Sequence, residues 1–183
     1  LNRNARQPAP LAEGFAPATQ PAVRVLVLGS LPGVKSINAG EYYAHPRNAF
    51  WSIIEELLGI PRALPYATRT SKLNAAGIAL WDVLQASRRA GSLDAAIDRA
   101  SAKPNDIAGF LAGHPRIELI AFNGKTAASL FARHIAPHCD LASLRTLALP
   151  STSPAHAALS FAGKLSAWQA LLTAPAANSR ATR

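Results

Sequence analysis

Four short apolar runs, each next to a glycine, a proline or an Asn-Gly pair, alternate along the chain with segments of helical periodicity. Residues 23–28 (VRVLVL) stop at Gly29, 78–81 follow Gly77, 118–122 (ELIAF) stop at Asn123-Gly124, and 144–149 stop at Pro150. Runs of this length suit strands buried on both faces of a parallel sheet. Between them Phe50, Ile53, Ile54, Leu57 and Leu58 recur at helical spacing before Gly59 and Pro61. Residues 125–135 carry Ala128, Leu130 and Phe131 on one face, and Phe161, Leu165, Trp168 and Leu172 mark a last helix. Asn105 reads as the cap of a further helix over 106–112. Strands alternating with helices predict an α/β fold: a three-layer α/β/α sandwich around a mainly parallel four-stranded sheet. Ligands of such sheets bind at the carboxyl ends of the strands, so the loops beginning at Gly29, Asp82, Asn123 and Pro150 are expected to converge on one crevice.

With 183 residues, 49% of them hydrophobic, the chain suits a single domain, read here as residues 22–173. The Ala- and Pro-rich stretches 1–21 and 174–183 show no period and read as flexible tails. One cysteine, Cys139, cannot form an internal disulfide. There is no apolar run of about 18 residues and no secretory pattern, so the expected compartment is the cytoplasm. Nineteen Lys and Arg against ten Asp and Glu give a net charge of +9 and a pI near 10.6. That balance points to a polyanionic partner, with association to the nucleoid as its consequence, although Arg3, Arg6, Arg180 and Arg183 sit in the tails.

The loop after the first run, Gly29-Ser30-Leu31-Pro32-Gly33, has neither the GxGxxG nor the GKS/GKT spacing, so no nucleotide cofactor is expected. Next comes YYAHPRNAFW over 42–51. An aromatic ring there can stack on a nucleobase, Arg47 can meet a phosphate, and the Asn48 carboxamide can hold a water or read a base edge. Asn48 reads equally well as the cap of the helix that follows, whose apolar face Phe50 and Trp51 open. Residues 150–156 (PSTSPAH) form a loop stiffened by two prolines, whose N–H groups and hydroxyls suit phosphate oxygens and whose His156 can donate; its alternative is a proline-rich turn.

Taken in order, GSLPG, YYAHPRNAFW and LPSTSPAH resemble the uracil-DNA glycosylase superfamily, and more closely its hypoxanthine-DNA (deoxyinosine) glycosylase branch, across residues 23–172. The resemblance implies a DNA repair hydrolase that cleaves the N-glycosidic bond of a deaminated base flipped out of double-stranded DNA, leaving an abasic site. It implies Asn48 as the catalytic residue and Tyr43 as the aromatic stacked on the base. The 151–156 loop would compress the DNA backbone. Leu31 stands where mismatch-specific relatives carry a catalytic asparagine, and the aspartate of the uracil enzymes is missing from this loop. Without a carboxylate there, Asn48 would orient the water, while the backbone of the Gly29 to Gly33 turn, with Ser30 or His156 nearby, would receive charge developing on the base.

Gly29, Leu31, Pro32, Gly33, Tyr43, Asp82 and Asn123 are accordingly the expected base-binding residues, and Lys35, Arg47, Lys125, Ser151, Thr152 and Ser153 the expected DNA contacts. Asp82 has a second reading as a helix cap or surface acid, and Asn123 as half of an Asn-Gly turn. The alternatives to hypoxanthine are uracil and G:U or G:T mismatches; the alternative to catalysis is lesion binding alone. A serine esterase fails because Ser30 lies outside a GxSxG elbow and Ser153 stands where the aspartate belongs. No metal or other cofactor is expected: the five histidines are scattered, and one cysteine cannot hold an iron–sulfur cluster. A monomer is expected.

Overall fold

The four apolar runs come together as one parallel sheet. The computed structural model describes residues 8–173, so the tail reading of 174–183 falls outside the described residues. In chain order the elements are β1 (Leu11–Glu13), β2 (Val25–Gly29), α1 (Val34–Ala39), α2 (Phe50–Leu58), α3 (Tyr66–Ala75), β3 (Ile78–Asp82) and β4 (Leu84–Arg88). There follow β5 (Lys103–Pro104), α4 (Ile107–Gly113), β6 (Leu119–Asn123), α5 (Lys125–His134), β7 (Arg145–Leu149) and α6 (Phe161–Trp168). The main sheet has the order β3-β2-β6-β7, every neighbouring pair parallel. All residues of β3, β2 and β6 are buried, which requires cover on both faces and so the three layers. β7 is the edge and is largely exposed along its length.

The reading of residues 1–21 as a tail is corrected from Pro8 onward, the first residue described. Leu11–Glu13 pairs antiparallel with Ala86–Arg88, and β4 in turn pairs with β5, giving a second, three-stranded sheet that local patterning does not announce. Ala18 then bridges Leu80 and covers the free edge of β3. Side chains of the domain complete the attachment: Trp81 donates its indole N–H to the Phe15 carbonyl (3.0 Å), Tyr42 its hydroxyl to that of Ala16 (3.2 Å) and Asn74 its amide to that of Ala18 (3.0 Å). An aperiodic segment is held because its backbone groups meet partners supplied by distant elements.

A second correction concerns α4. Its cap is Asp106, whose carboxylate accepts the Gly109 N–H at 2.9 Å, while Asn105 instead donates its amide to the Asp82 carbonyl at 2.8 Å. A Cβ at position 109 would stand 2.3 Å from that carboxylate, so only glycine leaves room for the cap.

The core beneath the site is aromatic. Phe50 and Trp168, both fully buried, meet edge to face at 5.7 Å, and the Trp168 indole donates to the Pro150 carbonyl at 3.0 Å. Trp51 donates to the Tyr42 carbonyl at 2.9 Å and carries the Arg69 guanidinium 4.4 Å from its ring centre. These contacts seat the segments 42–51 and 150–156 on the same core.

Candidate active site

A cleft of about 570 Å³ opens where β2, β3, β6 and β7 end, lined by the last residue of each, Gly29, Asp82, Asn123 and Leu149. The convergence expected from the strand ends is therefore observed. Gly29 and Asp82 are register partners. A Cβ on Gly29 would stand 2.3 Å from Asp82 Oδ1 and 3.6 Å from the Tyr43 hydroxyl, so the absence of a side chain admits both groups to the floor of the cleft.

The turn that follows β2 spends its carbonyls away from the cleft. Gly29 O accepts from Val83 N (2.9 Å), Ser30 O from Leu84 N (3.0 Å) and Gly33 O from Ile37 N (3.0 Å). The carbonyls of Leu31 and Pro32 both accept from the guanidinium of Arg89, which also donates to Gly91 O at 3.0 Å. With the acceptors used, the backbone donors of Ser30, Leu31 and Gly33 make no hydrogen bond among the described residues. Arg89, only 2% exposed, went unnoticed in the sequence, where it is one of two arginines in SRRAG.

Asp94 was missed in the same way. It lines the cleft and accepts the Ser30 hydroxyl proton at 2.6 Å, so Ser30 offers the cleft an oxygen acceptor and its donor is committed. This corrects the expectation that the Ser30 hydroxyl donates to a departing base. Asp82 is 3% exposed and its Oδ2 has no hydrogen-bond partner. Burial first, then the Asp94 charge, push its carboxyl up to about 8, against the opposing pull of Arg89.

Tyr43 stands in the left-handed region at φ 60°, a conformation that costs a bulky residue on the order of 1–3 kcal/mol and clusters at functional sites. One face of its ring lies on Phe50 (4.1 Å between centres), and its hydroxyl is buried without a hydrogen bond of normal geometry, the Asn123 side chain being its polar neighbour; burial first, then Asp82, push its ionisation far above the ordinary tyrosine range against the opposing pull of Asn123. The N-cap of α2 is Ala49, with no side-chain cap hydrogen bond, which corrects the reading of Asn48 as that cap; Asn48 stands one residue ahead of it. Its Oδ1 accepts the Phe50 N–H at 3.0 Å, which orients the carboxamide at the head of α2, and the same side chain borders the cleft. One Oδ1 lone pair and the amide N–H groups remain for a water.

Around the rim, the exposed Lys35 and Lys125 line the cleft with Ser151, Ser153 and His156. Arg47 lies instead in an adjoining groove with Asn48, Ser52, Phe161 and Lys164. Thr152, expected to face phosphate, is corrected. It is buried, its N–H donates to Asn123 Oδ1 and its hydroxyl accepts from Asn123 Nδ2, both at 2.8 Å. Asn123 thus holds the 150–156 loop, with the Tyr43 hydroxyl as a further polar neighbour. Lys164, 6% exposed and unflagged by its sequence, donates to Ser153 O at 3.3 Å from below that loop, and burial pulls its pKa down. Among the described residues no helix is long and apolar enough to cross a membrane.

Comparison with known proteins fits this geometry. Residues 16–172 match the family model of the uracil DNA glycosylase superfamily. The chain is 36% identical over 114 residues to a hypoxanthine DNA glycosylase of Methanosarcina barkeri, spanning 62% of this chain and 71% of the relative. It is 34% identical over 118 residues to the hypoxanthine DNA glycosylase of Methanosarcina acetivorans, spanning 64% and 73%. The solution NMR structure of a Methanosarcina acetivorans protein described as a candidate uracil DNA glycosylase superposes with a TM-score of 0.72 at 29% identity, covering 88% of this chain and 99% of that one. With the family model matching most of the chain and the fold shared with that solved structure, the chain belongs to the uracil DNA glycosylase superfamily.

Proposed function

We propose that this protein is a DNA glycosylase that hydrolyses the N-glycosidic bond of a deaminated base, hypoxanthine before others, extruded from double-stranded DNA, and that it works as a monofunctional monomer. The observation that carries the reading is the Asn48 carboxamide, oriented by Phe50 N on a cleft that the 29–33 turn also lines. In the reaction the C1′–N9 bond breaks, the water oxygen bonds to C1′, and a proton from that water ends on the departing base. Asn48 holds the water through its free lone pair. The turn's N–H groups, with His156 at the rim, meet the charge that gathers on the base.

Lys35 and Lys125, with Arg47 in the adjoining groove, supply the sequence-independent grip on phosphates, joined by Ser151 and Ser153. Extruding a base costs a few kcal/mol, least when it is mispaired. The test is a single-turnover incubation with labelled duplexes holding one deoxyinosine or one deoxyuridine opposite each normal base, followed by alkali. Strand breaks that require alkali and are strongest at deoxyinosine support the proposal. Breaks without alkali would contradict a monofunctional reaction, a lead for deoxyuridine would move the substrate to uracil, and no breaks at saturating enzyme would leave a lesion-binding protein.

A further inference from the structure

Two polar atoms on the floor of the cleft have no partner: Asp82 Oδ2 and the Tyr43 hydroxyl. Both belong to residues lining the cleft, and a Cβ on Gly29 would meet the other Asp82 oxygen, Oδ1, at 2.3 Å and the Tyr43 hydroxyl at 3.6 Å. Unsatisfied buried polar atoms are rare in folded proteins, and a pair of them on residues that line one cavity points to hydrogen bonds completed by a ligand. We infer that Asp82, as a neutral carboxylic acid, and the Tyr43 hydroxyl together read the lactam edge of the extruded base. This deepens the glycosylase reading and rests on it for the identity of the ligand.

The chemistry selects a lactam edge, which hypoxanthine shares with guanine and uracil with thymine, against the amino edge of adenine or cytosine. Deamination of adenine replaces the 6-amino donor by a carbonyl acceptor and turns N1 from an acceptor into an N–H donor. A carboxylate offers acceptors alone, so it repels the new carbonyl. A carboxylic acid offers one donor and one acceptor, and so engages the carbonyl and the neighbouring N–H together. Tyr43 adds a donor to an acceptor on the same edge. A hydrogen bond that strengthens as negative charge gathers on the base also favours its departure.

The surroundings maintain the acid form. Asp82 is buried, Asp94 faces it from the turn after β4, and the neutral phenols of Tyr42, Tyr43 and Tyr66 offer no cation. Arg89 is the one cation that counts against it, and its guanidinium is also shared among the carbonyls of Leu31, Pro32 and Gly91. Asp82 then titrates at about 8, which places an alkaline limit on excision within a measurable range.

The experiment measures single-turnover release of hypoxanthine from a deoxyinosine duplex across neutral to alkaline pH for the wild type, Asp82→Asn, Asp82→Ala and Tyr43→Phe, with calorimetric binding of free hypoxanthine to each. The wild-type rate should fall about tenfold per pH unit above the limit, and Asp82→Asn, whose amide keeps a donor and an acceptor without titrating, should lose that limb while losing no more than about tenfold at neutral pH. Asp82→Ala should lose about 100-fold or more and Tyr43→Phe about tenfold, both with weakened hypoxanthine binding and unchanged affinity for undamaged duplex. An Asp82→Asn enzyme that keeps the wild-type alkaline limb would overturn the inference, as would Asp82→Ala excising within about threefold of wild type. If Asp82→Ala does not fold, Asp82→Asn and Tyr43→Phe still decide the matter. A wild type that cuts neither deoxyinosine nor deoxyuridine but binds free hypoxanthine in an Asp82-dependent way would overturn the glycosylase reading and keep the edge reader.

Discussion

The Asn123 carboxamide closes on Thr152 through two hydrogen bonds of 2.8 Å, one to its backbone N–H and one to its hydroxyl, and Thr152 in turn accepts the Ala49 N–H at 3.0 Å. The end of β6, the loop after β7 and the residue next to Asn48 are thereby one connected unit. Gly124 belongs to it: at φ 101° it holds a conformation suited to glycine, and a Cβ there would stand 3.0 Å from that of Ser151. Replacing Thr152 by Val keeps the shape but orphans the Asn123 amide, which should lower stability by about 1–3 kcal/mol in urea unfolding. Because displacing a reacting group by an ångström can cost about 100-fold, excision should also fall by at least about tenfold. Unchanged values for both would show that this tie positions nothing.

Asn48→Ala should reduce single-turnover excision by about 100-fold or more, with duplex affinity kept within a few-fold, because the water loses its holder while the phosphate grip is untouched. It also removes the acceptor for Phe50 N, at a cost near 1 kcal/mol. Asn48→Asp retains that acceptor and should unfold at the wild-type urea midpoint, which separates this hydrogen bond from the chemistry.

Stability should fall as pH rises toward the Asp82 titration. The folded state holds this proton up to about 8, whereas the unfolded carboxyl releases it near its ordinary value of 3.8. Between those values the native state binds more protons than the unfolded one, so raising the pH favours unfolding. Asp82→Asn removes the dependence and should raise Tm at neutral and alkaline pH by roughly 2–4 °C for each kcal/mol relieved, with the gain vanishing in acid. Calorimetric scans across pH check this, and a gain that persisted below the unfolded value would rule out the linkage.

Arg89→Met should destabilise the protein by about 2–5 kcal/mol, since it leaves the buried Leu31 and Pro32 carbonyls without donors. The same change removes the one cation opposing protonation of Asp82, so the alkaline limb of excision should move to higher pH. A limb that stayed in place would mean that Arg89 and Asp82 do not sense each other.

Neutralising Lys35, Lys125 or Arg47 singly should weaken binding to damaged and undamaged duplex alike and reduce the slope of log K against log salt by about 1 each. Fluorescence anisotropy over a salt series measures that slope, and one that did not change would place the DNA on another face.

Much of this protein is written locally. The parallel sheet was legible because residues 23–28, 78–81, 118–122 and 144–149 are apolar runs whose backbone can be satisfied only by neighbours on both sides, and the turn residues that end them mark where the cleft lies. Gly29, Asp82 and Asn123 stand at those ends, Tyr43 and Asn48 in the segment before α2, and all border the cleft. Tertiary structure decided the rest, because a polar side chain acquires its role from what is folded against it. Nothing in SRRAG marks Arg89 as the donor to the 31–32 carbonyls, nothing in GSLD marks Asp94 as the partner of Ser30, and nothing in PSTSP turns Thr152 inward. The segment from Leu11 to Ala18 has no period of its own and is ordered only by strand edges and side chains far away in the chain. Asp82 is an ordinary acid in sequence; burial and a second carboxylate, both products of the assembled fold, make it one that keeps its proton.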